Sequence, residues 1–131
     1  MRLGQKLRPG DWVALSGELG AGKTTLVSGI VEGIHPGIRS RSPTYVRVEV
    51  YGRAPAIVHA DLYRLERPEE WDTLGIEDLA DRDAIVVVEW ADRALARLPA
   101  ERLHLTLRYA GEAAREVQVE AAGSRWRDLL A

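Results

Sequence analysis

Gly17-Glu18-Leu19-Gly20-Ala21-Gly22-Lys23-Thr24 decides how the rest of this chain is read. The pattern is G-x-x-x-x-G-K-[ST], a P-loop. Its glycines let the backbone turn tightly and aim successive N–H groups into a concave nest. With the first turn of a helix behind it, such a nest suits a phosphate group. Lys23 is then expected to reach the β- and γ-phosphates, and the Thr24 hydroxyl to sit on Mg²⁺.

The flanking sequence agrees with the motif. Trp12-Val13-Ala14-Leu15 is a short apolar run that predicts a buried strand. Behind the loop, Leu26, Val27, Ile30, Val31 and Ile34 recur at helical spacing. Strand, loop and helix in this order is the context a P-loop requires. A glycine-rich turn with a surface lysine would not need it.

Further along, His35-Pro36-Gly37 breaks the helix, and Arg39 to Arg41 reads as a basic loop leading into Ser42-Pro43-Thr44-Tyr45. Tyr45 to Tyr51 alternates with period two, and Ala56 to Tyr63 is a second strand joined to it through Gly52-Arg53-Ala54-Pro55, an antiparallel hairpin. Pro68-Glu69-Glu70-Trp71 starts a short helix with proline suited to its first position. Gly75 to Leu79 predicts another short helical piece, and Asp92 to Leu98 a third. Ala84-Ile85-Val86-Val87-Val88-Glu89-Trp90 is the strongest strand, and its unbroken apolar run predicts a central position buried on both faces. Arg102 to Tyr109 and Arg115 to Glu120 form a late hairpin, and Gly123 to Leu130 a terminal helix. Met1 to Leu7 reads as the end of a helix stopped by Pro9-Gly10, which points to a natural start upstream. The expected fold class is α/β, a P-loop NTPase-like three-layer domain with a mixed parallel and antiparallel sheet flanked by helices.

The 131 residues suit a single domain, 1–131. A net charge of −2 gives no general basic field for nucleic acid. There is no cysteine, which excludes disulfides and thiolate metal sites. No apolar run reaches signal-peptide or membrane-spanning length, so a soluble cytoplasmic protein is the default. Lysine occurs only at positions 6 and 23, and asparagine is absent. The N-K-x-D guanine-reading motif therefore cannot be present.

A P-loop needs a second strand that brings a carboxylate to the metal. Glu89, after four apolar residues at a presumed strand end, is the best candidate; its competing role is a strand-exit glutamate in water. Asp61 lies in an otherwise apolar strand, where a carboxylate is costly unless paired. It is expected either to orient an attacking water, to hold a metal-bound water, or to form a buried ion pair with Arg64. His59, a single histidine, reads as structural. Ser42 and Thr44 either reach the Mg²⁺ or γ-phosphate as a switch loop or mark a turn set by Pro43. Trp71 and Trp126 read as helix-face packing and Trp12 as core or sheet edge, while Trp90 adjoins the presumed site.

Taken in order, the pieces GELGAGKTT, SPTY, HADLYRL, GIEDL and VVVEW resemble the TsaE (YjeE-type) family, P-loop ATPases of bacterial tRNA threonylcarbamoyladenosine biosynthesis. The resemblance runs from Leu3 to the last helix. The P-loop is shared by many families; its combination with SPTY, H-x-D-x-Y-R-L and E-W is far more specific. The resemblance implies that Glu18, Leu19, Gly20, Ala21, Gly22, Lys23, Thr24 and Thr25 hold ATP. It implies Mg²⁺ on Thr24 and Glu89, and ATP turnover served by Asp61, Glu89, Trp90 and Lys23. Ser42 and Thr44 would lie in a switch loop, and Arg115 would contact the nucleotide. Family members usually carry a further stretch ahead of the Leu3-Gly4 helix that helps enclose the adenine. The implied partners are a transferase and its inactive paralogue, TsaD and TsaB, which attach a threonylcarbamoyl group to the adenosine after the anticodon. The ATPase would reset that machine between cycles and meet tRNA only through the complex.

Two other functions share the P-loop. A small-molecule or nucleoside kinase needs an acceptor pocket and usually an arginine-rich lid, for which this chain is short. A nucleotide-gated binding module needs no useful turnover. No arginine is fixed by sequence as a finger, so hydrolysis by the chain alone is expected to be slow and partner-stimulated.

Overall fold

The computed structural model describes residues 6–17, 23–38, 48–80, 83–109, 115–123 and 126. Their strands make one mixed sheet in the order β2-β3-β4-β1-β5-β6. These are β1 (Trp12–Gly17), β2 (Val48–Tyr51), β3 (Ile57–Asp61), β4 (Ile85–Glu89), β5 (Arg102–Tyr109) and β6 (Arg115–Ala122). The inner strands β3, β4, β1 and β5 run parallel. The outer strands β2 and β6 pair antiparallel with β3 and β5, the two expected hairpins.

β4 occupies the centre because its residues have no polar face to offer. Ile85, Val86, Val87 and Val88 are each at most 1% exposed. A fully buried aliphatic side chain contributes about 1.5–3 kcal/mol. That is how a strand as short as β4 can carry a buried carboxylate, Glu89, at its last position.

The sheet has two apolar layers. On one face Val13, Leu15, Ile57, Ile85, Val87, Leu103, Leu105 and Leu107 pack against helix α1 (Lys23–Ile34) through Val27, Ile30 and Val31, with Trp126 in the same cluster. On the other, Ala14, Val58, Ala60, Val86 and Val88 pack under Trp71, Ile76, Ala91 and Ala94. This second layer is made of short pieces: a 3₁₀ helix Pro68–Thr73, the single-turn α2 (Ile76–Leu79) and a 3₁₀ helix Ala91–Arg97 that kinks at Ala94. Glu70 fixes the start of the first piece by accepting from the Glu66 and Arg67 backbone N–H groups at 2.6 and 2.9 Å. Trp71, at 0% exposure, anchors it, and its indole N–H donates to Glu77. Trp12 lies within the sheet and tilts against Trp71 with ring centroids 6.3 Å apart.

Several boundaries differ from expectation. β1 runs two residues further, to Gly17, where φ is +136° and a Cβ would lie 2.2 Å from the Leu107 carbonyl oxygen. Only glycine lets β1 lie against β5 there before the chain turns away. β3 ends at Asp61 rather than Tyr63. The Leu62 N–H still donates to the Glu89 carbonyl, but the Asp61 carboxylate accepts from the Tyr63 N–H at 2.9 Å, so the backbone turns off the ladder there. Asp61 is therefore a strand-end residue, not one inside a longer strand. β2 is described from Val48; Tyr45 to Arg47 lie outside the described residues, as does most of the expected terminal helix. No helix among the described residues is long and apolar enough to cross a membrane.

Candidate functional site

The parallel strands deliver their last residues to one edge of the sheet. Asp61 of β3 is in register with Glu89 of β4, and Leu15 of β1 with the same Glu89. Alternation along β3 and β4 puts His59, Asp61 and Glu89 on the face that carries α1. Lys23 opens that helix. A loop of sequence bearing the glycine motif thus leaves β1 and returns as α1 beside two carboxylates.

Glu89 is 3% exposed and His59 1%, and the two meet at 2.6 Å between Glu89 Oε2 and His59 Nε2. A glutamate leaving its strand into water is excluded by that burial. Asp61 is more open. Its carboxyl holds a proton to higher pH than usual, first because it is partly buried and then because Glu89 stands beside it. The Tyr63 N–H, His59 and Lys23 act in the opposite sense. Two neighbouring carboxylates with one drawn toward protonation make an edge that favours positive charge. Among the described residues no three His, Cys, Asp or Glu side chains gather into a metal cage. Mg²⁺ is commonly held by one or two carboxylates together with phosphate oxygens and water, so Glu89 with Asp61 beside it fits that ion better than a dedicated cage would.

Lys23 is 5% exposed. Its ammonium donates to the Gly17 carbonyl at 2.8 Å and lies 4.1 Å from the centroid of the Trp90 ring. Trp90 has φ +57° and ψ +41°, a left-handed conformation uncommon for a bulky residue. That turn, directly after Glu89, swings the indole back over the lysine. Tyr63 packs tilted against Trp90 with ring centroids 5.0 Å apart, and the Arg93 guanidinium lies 5.5 Å from the Trp90 ring and 5.8 Å from the Tyr63 ring. Tyr63, Arg64, Leu65, Glu66 and Arg93 line a groove of about 490 Å³ on the outer side of this stack.

The family model described as threonylcarbamoyl adenosine biosynthesis protein TsaE matches residues 1–117. This chain belongs to the TsaE family. A relative in Streptomyces coelicolor, named tRNA threonylcarbamoyladenosine biosynthesis protein TsaE, is 43% identical over 95% of this chain and 89% of its own length. The protein of the same name in Bacillus subtilis is 37% identical, over 93% of this chain and 77% of its own. Among solved structures, Bacillus subtilis YdiB superposes with a TM-score of 0.78 at 31% identity, covering 98% of this chain and 80% of that one. The mixed sheet and its helices agree with the fold expected from sequence.

Within this TsaE-family fold the predicted site residues fall into two groups. The structure brings Lys23, Asp61, Glu89 and Trp90 to one edge of the sheet. Thr25 follows in α1 and is exposed. Glu18, Leu19, Gly20, Ala21, Gly22, Ser42 and Thr44 lie outside the described residues, as do the side chains of Thr24 and Arg115. The backbone of Arg115 opens β6 opposite Tyr109. Sequence reasoning missed His59 as a partner of Glu89, and Tyr63 and Arg93 as neighbours of Trp90. The H-x-D spacing did place His59 and Asp61 on one strand face; the register with β4 was needed to put Glu89 beside them.

Proposed function

We propose that this chain binds ATP with Mg²⁺ at the carboxyl edge of its sheet and hydrolyses it slowly, as an accessory to tRNA threonylcarbamoyladenosine formation by a TsaB–TsaD transferase pair. The observation that carries this is the placement of Asp61 and Glu89 side by side on the face where Lys23 starts α1. The names of the relatives in Streptomyces coelicolor and Bacillus subtilis support the pathway.

In this account Lys23 provides the fixed positive charge. Its ammonium is held near the loop by the Gly17 carbonyl and the Trp90 face, so little ordering remains when a phosphate arrives. Glu89 and Thr24 would hold Mg²⁺, which neutralises charge on the phosphate oxygens. Asp61, whose proton affinity is raised by burial, suits a water that must be oriented and relieved of a proton. The Arg93 guanidinium lies 5.5 Å from the centroid of the Trp90 ring, and the sequence marks no arginine as a finger. An arginine finger is worth roughly 10³–10⁵ in rate, so turnover by the chain alone is slow and a partner supplies what is missing.

The test is phosphate release by this chain alone, with the TsaB–TsaD pair, and with Asp61→Ala. Slow release that the pair accelerates and Asp61→Ala abolishes is expected. Rapid release alone, indifference to the pair, or a phosphorylated small molecule as product would overturn the proposal.

A further inference from the structure

Resting on the assignment of Glu89 to Mg²⁺, we infer that His59 is a positioning residue that holds the Glu89 carboxylate ready for the metal. The two side chains meet at 2.6 Å, both almost fully buried. His59 Nδ1 is buried and has no hydrogen-bond partner.

The contact is made by Oε2, so the His59 ring fixes that oxygen of the carboxylate and leaves Oε1 outside the contact.

His59 is suited to this by its address. It lies on β3, on the same face as Glu89 and one ladder step below it, and Val87 is its register partner. The His59 ring projects from the α1 face of the sheet and is 1% exposed. A ligand carboxylate steered by a hydrogen-bonded neighbour binds metal better than a free one, and loss of such a neighbour usually costs about 10–100-fold in metal affinity.

The experiment compares the parent with His59→Leu, His59→Gln and Glu89→Gln. ATP binding is titrated by calorimetry at stepped Mg²⁺ concentrations, with melting temperature recorded for each variant. His59→Leu is expected to raise the Mg²⁺ requirement about 10–100-fold, while ATP binding without Mg²⁺ stays at the parent level. His59→Gln, whose side-chain amide can donate to the Glu89 carboxylate, is expected to recover most of that loss. A packing role alone would lower the melting temperature of both variants and leave Mg²⁺ dependence untouched, and that result overturns the inference. If Glu89→Gln itself leaves Mg²⁺ dependence unchanged, it is the metal assignment that fails.

Discussion

On the α1 face of the sheet the strands alternate in a core of Val13, Leu15, Ile57, Ile85 and Val87, then end in His59, Asp61 and Glu89. On the opposite face the same strands contribute Val58, Ala60, Val86 and Val88 to a core capped by Trp71 and Ile76. Polar contacts on that face lie away from the carboxyl ends of β3 and β4, as between Ser16 Oγ and His104 Nε2 at 2.8 Å or from the Trp71 indole to Glu77. β3 and β4 thus serve both purposes at once, because successive side chains point to opposite faces. One face concentrates ionisable groups at the carboxyl edge and the other is given over to burial. Substitutions on the two should separate function from stability.

The largest effect is expected opposite the site. Trp71→Ala removes a side chain with 0% exposure from the core cluster it shares with Ala91 and Ala94, and should cost about 3–5 kcal/mol. Denaturant unfolding measures it, and the molecules that remain folded should bind ATP as the parent does. A loss of affinity at full folding would break the division between the faces. Gly17→Ala comes next, at the seam where β1 gives way to the motif. Its Cβ would lie 2.2 Å from a backbone oxygen of Leu107, which cannot rotate aside. Overpacking of this kind costs typically 1–3 kcal/mol. Both stability and ATP binding should fall together; a loss of binding at unchanged stability would mean that the contact with β5 is not what fixes the loop.

Much of this division was legible in the sequence. The unbroken run Ile85 to Val88 gave β4 its central place, and the glycine motif between a strand and a periodic helix gave the site its edge. The alternation in Arg102 to Tyr109 and Arg115 to Glu120 gave the late hairpin. What stayed hidden depends on register. Nothing local says that Asp61 stands beside Glu89, or that a lone His59 meets Glu89 across two strands. The end of β3 was misplaced because the Asp61 side chain, by capping the Tyr63 N–H, stops the strand against the pull of Leu62 and Tyr63. The helices over Trp71 and Ala94 were foreseen as helical pieces, but not as 3₁₀ turns, since their form is set by packing short segments onto a flat apolar sheet.

A smaller effect sharpens the comparison. Asp61 keeps its proton above the ordinary carboxylate value of 3.8, chiefly through burial, so folding disfavours its charged form. That penalty is fully present above the raised pKa, shrinks as pH falls through it, and is gone below the unfolded value. Asp61→Asn retains an oxygen for the Tyr63 N–H and should slightly raise the melting temperature at neutral pH, with the gain fading as the pH approaches 3.8. The same variant should lose phosphate release. A drop in neutral-pH stability would show instead that the charge at Asp61 is held by favourable partners and that the carboxyl edge is not under electrostatic tension.

The central claim is that the edge carrying Lys23, Asp61 and Glu89 is where this chain holds ATP with Mg²⁺, and calorimetric titration of Lys23→Ala tests it most directly. Lys23 brings the one ammonium shown between the Gly17 carbonyl and the Trp90 ring. Hydrogen bonds to charged groups are worth about 1.5–3 kcal/mol, so affinity for ATP with Mg²⁺ should fall by roughly 10–100-fold. The melting temperature should move less than in Trp71→Ala. Binding at parental affinity would contradict the account and move the nucleotide away from this edge.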